Sequence, residues 1–137
     1  MNKKLKVASI ILYIVSAGAI IFGFIYLFSP TIMPYHERFL RKSHEQLEPK
    51  VAKLFLALLK VAGSTFLSIG ISLIMLVKGY FSKGDKFAWW IILVMMIISL
   101  VPLLYITLSI GLYTPWWIVA TMLILLIIAM LISRFSK

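Results

Sequence analysis

Apolar residues are concentrated in four long runs that are separated by short polar segments. The runs cover residues 7–28, 54–77, 87–110 and 116–133. At about 1.5 Å per residue, a run of this length crosses the ~30 Å hydrocarbon core of a bilayer as an α-helix. The pattern therefore predicts an all-α integral membrane protein with four transmembrane helices, in which residues 1–137 form a single membrane domain.

The segments between the runs predict how the helices are arranged. The second and third loops, residues 78–86 and 111–115, are short, so helices two, three and four are expected to be antiparallel neighbours in an up-and-down bundle. Pro102 lies midway through the third helix, where a proline frees a backbone carbonyl one turn earlier, and a kink is expected there. Small residues allow close approach of helix backbones, so the small residues of the first two helices are expected to meet. They are Ser16, Ala19 and Gly23 in helix one, and Gly63 and Gly70 in helix two.

The first loop contains an amphipathic pattern between two prolines, Pro34 and Pro49. Prolines suit the first turns of helices, which predicts a short surface helix over residues 34–48 and a second transmembrane helix over about 51–77. Most apolar side chains fall on one side of the surface helix, and the other side is charged. Such a helix lies on the bilayer surface or across the mouth of the bundle, with ion pairs four residues apart on its charged side. These pairs are Glu37–Arg41, Arg41–Glu45 and His44–Glu48.

Composition supports a membrane location and narrows the possible partners. Hydrophobic residues make up 63% of the chain, and the mean hydropathy is +1.08. The net charge of +10 is located in the flanks of the apolar runs, which is typical of anchoring at anionic lipid surfaces and not of nucleic-acid binding. Tryptophans at two helix starts indicate the membrane interfaces. They are Trp89, Trp90, Trp116 and Trp117.

Basic residues in the flanks predict the orientation of the chain. The N-terminal segment, the second loop and the tail with Arg134 and Lys137 contain eight of them, whereas the other side has five. The positive-inside rule then places both termini in the cytoplasm. A cleaved signal peptide is not expected, because the first apolar run continues for nine residues past Ala19.

No pattern in the chain predicts a catalytic residue, a metal site or a cofactor. The sequence has no Cys, and no Asp or Glu lies inside an apolar run. His44 and Glu48 have the helical spacing of two metal ligands, but Arg38, Arg41 and Lys42 share their face and would oppose a cation. A solvated charged face is the better interpretation.

The strongest candidate for a binding site is a polar stripe on the second helix. Lys53, Lys60, Ser64 and Ser68 follow spacings of seven, four and four, which places them on one face. Lys60 lies about 9 Å inside the apolar run, and its partner is either a loop carboxylate or a bound anion. Lys53 and Lys60 are predicted to face the bundle interior beneath the surface helix. With Ser64 and His36 they form an outward-facing basic pocket for an anionic headgroup, a carboxylate ligand or a partner subunit. Snorkelling of Lys60 to the interface is the alternative.

Three classes of function are compatible with these features. The leading one is a non-enzymatic membrane protein that binds anionic lipid, another membrane subunit or a second copy of itself through the basic pocket. A small oligomeric transporter or channel is the second class. Small multidrug exporters have a similar length and four helices, but they rely on a glutamate in the first helix; residues 7–28 contain none, which favours an anion or lipid path over proton-coupled cation export. The third class is a lipid-modifying enzyme that uses His36, His44 and Glu37.

Several short motifs carry a resemblance to known proteins. Residues 35–79 contain YHE and LEP followed by the basic second helix, and residues 102–117 contain PLLYITL before TPWW. In these features the chain resembles uncharacterised small four-helix membrane proteins of bacteria. The resemblance implies a bacterial cytoplasmic (inner) membrane, and it implies no activity.

Overall fold

The computed structural model describes residues 2–134, which form α-helices and two short 3-10 turns, with no strand in that range. Four of the helices are long and apolar enough to cross a membrane, which indicates a multi-pass membrane protein. Lys137, which was counted for the orientation, lies outside the described residues. The α-helices are α1 (Lys3–Phe28), α2 (Pro34–Leu40), α3 (Pro49–Gly79), α4 (Lys86–Ile110) and α5 (Trp116–Arg134).

Helix α1 occupies the centre of the structure. It packs against α3 on one side and α5 on the other, and α4 packs against α5. The side chains between these helices are apolar and almost completely buried. Examples are Leu12 and Val15 of α1, Leu73 of α3, Ile92 of α4 and Leu126 of α5.

Glycines bring the backbones of α1 and α3 into contact. A Cβ atom at Gly63 would lie 2.5 Å from the Leu27 amide nitrogen and 2.8 Å from the Gly23 carbonyl oxygen. A Cβ atom at Gly70 would lie 3.0 Å from the carbonyl oxygen of Ser16. The prediction that the small residues of these two helices meet is confirmed at these positions. At these positions α1 and α3 attract each other through van der Waals contacts between their backbones, and not through large side chains.

The neighbours of α4 differ from the prediction. Helices α4 and α5 pack together as expected, but α3 and α4 make few contacts along their length. A short connection fixes only the ends of two helices, and the glycine face of α3 is already occupied by α1. Helix α4 continues through Pro102, whose side chain is exposed, and the kink there stays a prediction.

The surface helix is shorter than predicted. Helix α2 ends at Leu40, and Arg41 adopts the left-handed conformation with φ 53°. Instead of pairing with Arg41, the Glu37 carboxylate accepts a hydrogen bond from the His44 backbone N–H at 2.8 Å. Ser43 then begins a separate 3-10 turn, and its backbone N–H donates to the Gln46 side chain at 3.0 Å. Hydrogen bonds from the backbone N–H groups of Ser43 and His44 to side chains thus take the place of the predicted ion pairs. Each exposed ion pair would contribute only ~0.2–0.5 kcal/mol.

Candidate functional site

The gap between α3 and α4 is a narrow apolar cleft. It holds about 590 Å³ of space that no protein atom occupies, including its open mouth. All four long helices line it, so it lies between them. The lining includes Phe22 and Tyr26 of α1, Phe66 and Ile69 of α3, Ser99 and Leu103 of α4, and Val119 and Met122 of α5.

The cleft occupies one half of the bundle. Along α4 it extends from Met96 to Thr107, a rise of about 16 Å over eleven residues. This is close to half of the ~30 Å hydrocarbon thickness of a bilayer. Its upper limit is Pro115, in the loop between α4 and α5. We call this end of the bundle, which also contains α2, the α2 end, and the opposite end, where α1 begins, the N-terminal end.

The serine and threonine hydroxyl groups in the cleft are bonded to their own helix. The Ser99 hydroxyl donates to the Met95 carbonyl at 2.8 Å. The Thr107 hydroxyl lies 2.9 Å from the Leu103 carbonyl and donates back to the same helix. Because these donors are used locally, the walls of the cleft suit a hydrocarbon chain better than a charged ligand.

Helix α2 lies beside the mouth of the cleft and connects its two sides. The hydroxyl of Tyr35 is hydrogen-bonded to the hydroxyl of Tyr26, which lines the cleft. The Arg38 guanidinium lies 4.8 Å from the centre of the Tyr113 ring, in the loop between α4 and α5. Burial and the neighbouring Tyr26 raise the pKa of Tyr35, so the phenol stays protonated. Of the two placements predicted for the surface helix, these contacts favour the one across the mouth of the bundle.

The loop between α4 and α5 holds the other side of the mouth in place. Thr114 is 2% exposed, and its hydroxyl oxygen lies 2.8 Å from both the Thr107 and the Gly111 carbonyl oxygens. Gly111 has φ 146°, and a Cβ there would lie 2.6 Å from the Tyr113 ring. The turn therefore requires glycine, and it sets the ring on which Arg38 rests.

His36 is half-buried between α2 and α3. Its ring centre lies 4.9 Å from that of Phe55 and 4.4 Å from that of Tyr35. The Nδ1 atom accepts a hydrogen bond from the Met33 backbone N–H at 3.3 Å, which requires that nitrogen to be unprotonated. Burial lowers the pKa of His36. The neutral ring is thus the form that packs against α3.

We expect His36 to titrate below the ordinary histidine pKa of 6.5. Since the folded chain binds the proton less tightly than the unfolded chain, packing of α2 weakens as the pH falls through 6.5 and stops weakening below the lowered pKa. NMR titration of the His36 imidazole in detergent micelles measures this directly. A pKa above 6.5 would contradict the packed position of the ring.

The other residues of the predicted basic pocket lie elsewhere. Lys53, Lys60 and Ser64 are exposed on one flank of α3. Phe55, which contacts His36, lies about 160° around the helix axis from Lys53 and about 140° from Lys60, so it is on the opposite side of α3. The prediction that Lys53 and Lys60 face the bundle interior is therefore wrong: with Ser64 they lie on one exposed flank, and His36 is not brought to them. The cleft-lining Phe66 and Ile69 are also on the side of α3 away from the lysines.

Lys60 is closer to the end of the bundle than its position in the apolar run indicates. Gly63 packs against Leu27, one residue before the end of α1 at Phe28. Lys60 is about one turn further towards the α2 end, because α3 runs antiparallel to α1. The backbone of Lys60 is therefore level with the end of α1, from where a long side chain reaches an interface.

No protein-family model, curated protein or solved structure matches the chain. Within residues 2–134, no three His, Cys, Asp or Glu side chains are grouped so that they could hold a metal ion.

Proposed function

We propose that the chain is a non-enzymatic membrane protein that binds a phospholipid, with one acyl chain in the cleft between α3 and α4. The observation that carries this proposal is the cleft itself, which is narrow, apolar and about as deep as one leaflet. An apolar slot that opens towards lipid tails gains dispersion contacts when a chain enters it, and its walls lose these contacts when it is empty. A bound chain also takes the place of the missing contact between α3 and α4.

The headgroup of this lipid lies at the α2 end. Arg38 is exposed there, and a guanidinium that rests on the Tyr113 ring still has N–H groups free to bond a phosphate. The hydroxyls of Tyr26 and Tyr35 are close to the mouth and offer further polar contacts. The lipid is thus held by a hydrocarbon slot and by a polar cap that α2 provides.

The flank with Lys53, Lys60 and Ser64 has a second, weaker role in this proposal. Its lysines contact acidic headgroups of the surrounding bilayer or a partner subunit, since the flank is exposed and near the end of α1. This part of the predicted basic pocket is kept, but the tightly bound lipid is assigned to the opposite flank of α3.

The orientation that we propose places both termini in the cytoplasm of a bacterial cell, with the chain in the inner membrane. The N-terminal end contains seven Lys and Arg in residues 2–134, whereas the flanks at the α2 end contain five, with Lys60 left out because it lies inside an apolar run. An excess of basic residues is typical of the cytoplasmic side. The cleft then opens to the outer leaflet.

Filling the cleft tests the proposal. We expect Ser99→Phe to abolish the binding of one lipid that wild-type protein retains, because the new ring occupies the space between α3 and α4. The matched control is Ser109→Phe, which adds the same ring to an exposed serine of the same helix. Native mass spectrometry of protein released gently from bilayers of known composition gives the lipid adducts of all three proteins.

Two results would overturn the proposal. One is a wild-type protein that carries no retained lipid under conditions in which its fold is intact. The other is an equal lipid adduct in the wild type, Ser99→Phe and Ser109→Phe, which would show that the retained lipid is bound elsewhere.

A further inference from the structure

A second pocket lies at the N-terminal end of the bundle, opposite to the cleft. It holds about 890 Å³ of space free of protein atoms, including its open side. Its apolar floor is provided by Leu5 at the start of α1, by Phe81 in the loop between α3 and α4, and by Trp89 of α4. Lys86 and Arg134 are at its rim, and both are exposed. The pocket thus combines an aromatic base with two cations.

Hydrogen bonds hold the floor and the rim in position. The Trp89 indole N–H donates to the Ser133 hydroxyl at 3.0 Å and lies 3.3 Å from the Met130 carbonyl oxygen, which joins α4 to α5 beside Arg134. The Trp90 ring stands edge-on to Trp89 with 4.8 Å between the ring centres, and it is 59% exposed. A rigid indole therefore supports the wall, and a second indole faces outward at the rim.

The charge around this pocket is strongly positive. Among the described residues that line it, Asp85 is the one acidic residue, and its carboxylate accepts a hydrogen bond from the Ala88 backbone N–H at 2.7 Å as the cap of α4. Besides Lys86 and Arg134, the same end of the bundle contains further lysines. They are Lys3, Lys4, Lys6, Lys78 and Lys83.

We infer that this pocket binds the headgroup of an acidic phospholipid, with the phosphate between Lys86 and Arg134 and the adjoining glycerol and first methylenes against the indole rings. Two cations give the charge-assisted bonds that a phosphate diester accepts, and indoles are favoured at the depth where headgroup and hydrocarbon meet. The aromatic floor argues for a lipid and not for free phosphate, which would gain nothing from Leu5 and Phe81. This site lies at the opposite end of the bundle from the cleft. Charged residues line it, and its binding of lipid depends on them.

The test compares two double variants with the same net charge. We expect Lys86→Gln with Arg134→Gln to weaken the binding of phosphatidylglycerol about tenfold, as the loss of charge-assisted hydrogen bonds predicts. Lys78→Gln with Lys83→Gln removes two charges from the same end but none from the pocket, and it should bind as the wild type does. Binding is measured by native mass spectrometry during titration with phosphatidylglycerol, phosphatidylcholine and inorganic phosphate.

Further outcomes separate this site from its alternatives. Lys86→Arg with Arg134→Lys keeps both charges and should restore binding, while Ser99→Phe should leave phosphatidylglycerol binding at this site unchanged. The inference is overturned if both Gln double variants lose binding equally, because the attraction is then diffuse. It is also overturned if neither loses binding, or if inorganic phosphate competes as well as the lipid.

Discussion

Gly63→Ala is expected to lower the free energy of unfolding by about 2 kcal/mol or more, although alanine is the better helix former. The new methyl group would lie 2.5 Å from the Leu27 amide nitrogen and 2.8 Å from the Gly23 carbonyl oxygen. Both are backbone atoms of α1, so no side-chain rotation relieves the clash. The helices must move apart and lose the close backbone contact that joins them. Unfolding in mixed micelles, titrated with a denaturing detergent, measures the change.

Gly79→Ala is the matched control for this prediction. Gly79 is at the last position of α3, and a Cβ atom there would meet nothing within 4 Å. The same substitution at this position should leave stability unchanged or raise it slightly, because it reduces the conformational freedom of the unfolded chain. Equal effects at Gly63 and Gly79 would mean that α1 and α3 do not pack through their backbones.

Leu12→Ala is expected to cost about 2 kcal/mol of stability, because it opens a cavity in the centre of the bundle. Leu12 is 0% exposed and belongs to the apolar core that α1 shares with its neighbours. In the unfolded state the helices separate and this side chain contacts lipid tails, which are as apolar as the core. The stability lost in the variant therefore comes mainly from missing packing contacts in the folded state. Detergent-induced unfolding of the variant gives its size.

Ile14→Ala serves as the control on the same helix. Ile14 is 56% exposed, half a turn from the packed face, and its truncation removes few internal contacts. Stability should be unchanged or slightly higher, since alanine has the greater helix propensity. If Ile14→Ala proved as costly as Leu12→Ala, the face that α1 presents to its neighbours would have been assigned wrongly.

The long helices and the contact between α1 and α3 are features that the sequence predicts well. Run length and hydropathy locate the helices because a bilayer admits few other backbone structures. The small residues Ser16, Gly23, Gly63 and Gly70 identify the close contact because only small side chains allow it. Both signals are local in the chain, so they do not depend on the rest of the fold.

The gap between α3 and α4 has no comparable signal. The two helices are close in sequence, and their apolar side chains would be acceptable either against each other or against lipid. The break in the surface helix, in contrast, does have a signal. Ser43 and Gln46 have the spacing of a capping box, which indicates the start of a new helical turn and outweighs the periodicity that continues through Arg41.

The candidate site was predicted only in part. The spacing of Lys53, Lys60 and Ser64 gives their common flank correctly, but the relation of that flank to His36 depends on how α2 folds back on α3. The cleft-lining Tyr26 and Ser99 were missed, since a tyrosine near a helix end and a serine bonded to its own helix are common in membrane segments. Only tertiary packing shows that they face the same space.

The measurement that tests the central claim most directly is a crystal structure of the wild-type protein grown from a lipid mesophase. We expect α3 and α4 to stay apart, with elongated non-protein density in the cleft from the level of Thr107 to that of Met96 and a headgroup beside Arg38. A structure in which α3 packs directly against α4 and closes the cleft would contradict the proposed binding of a lipid chain.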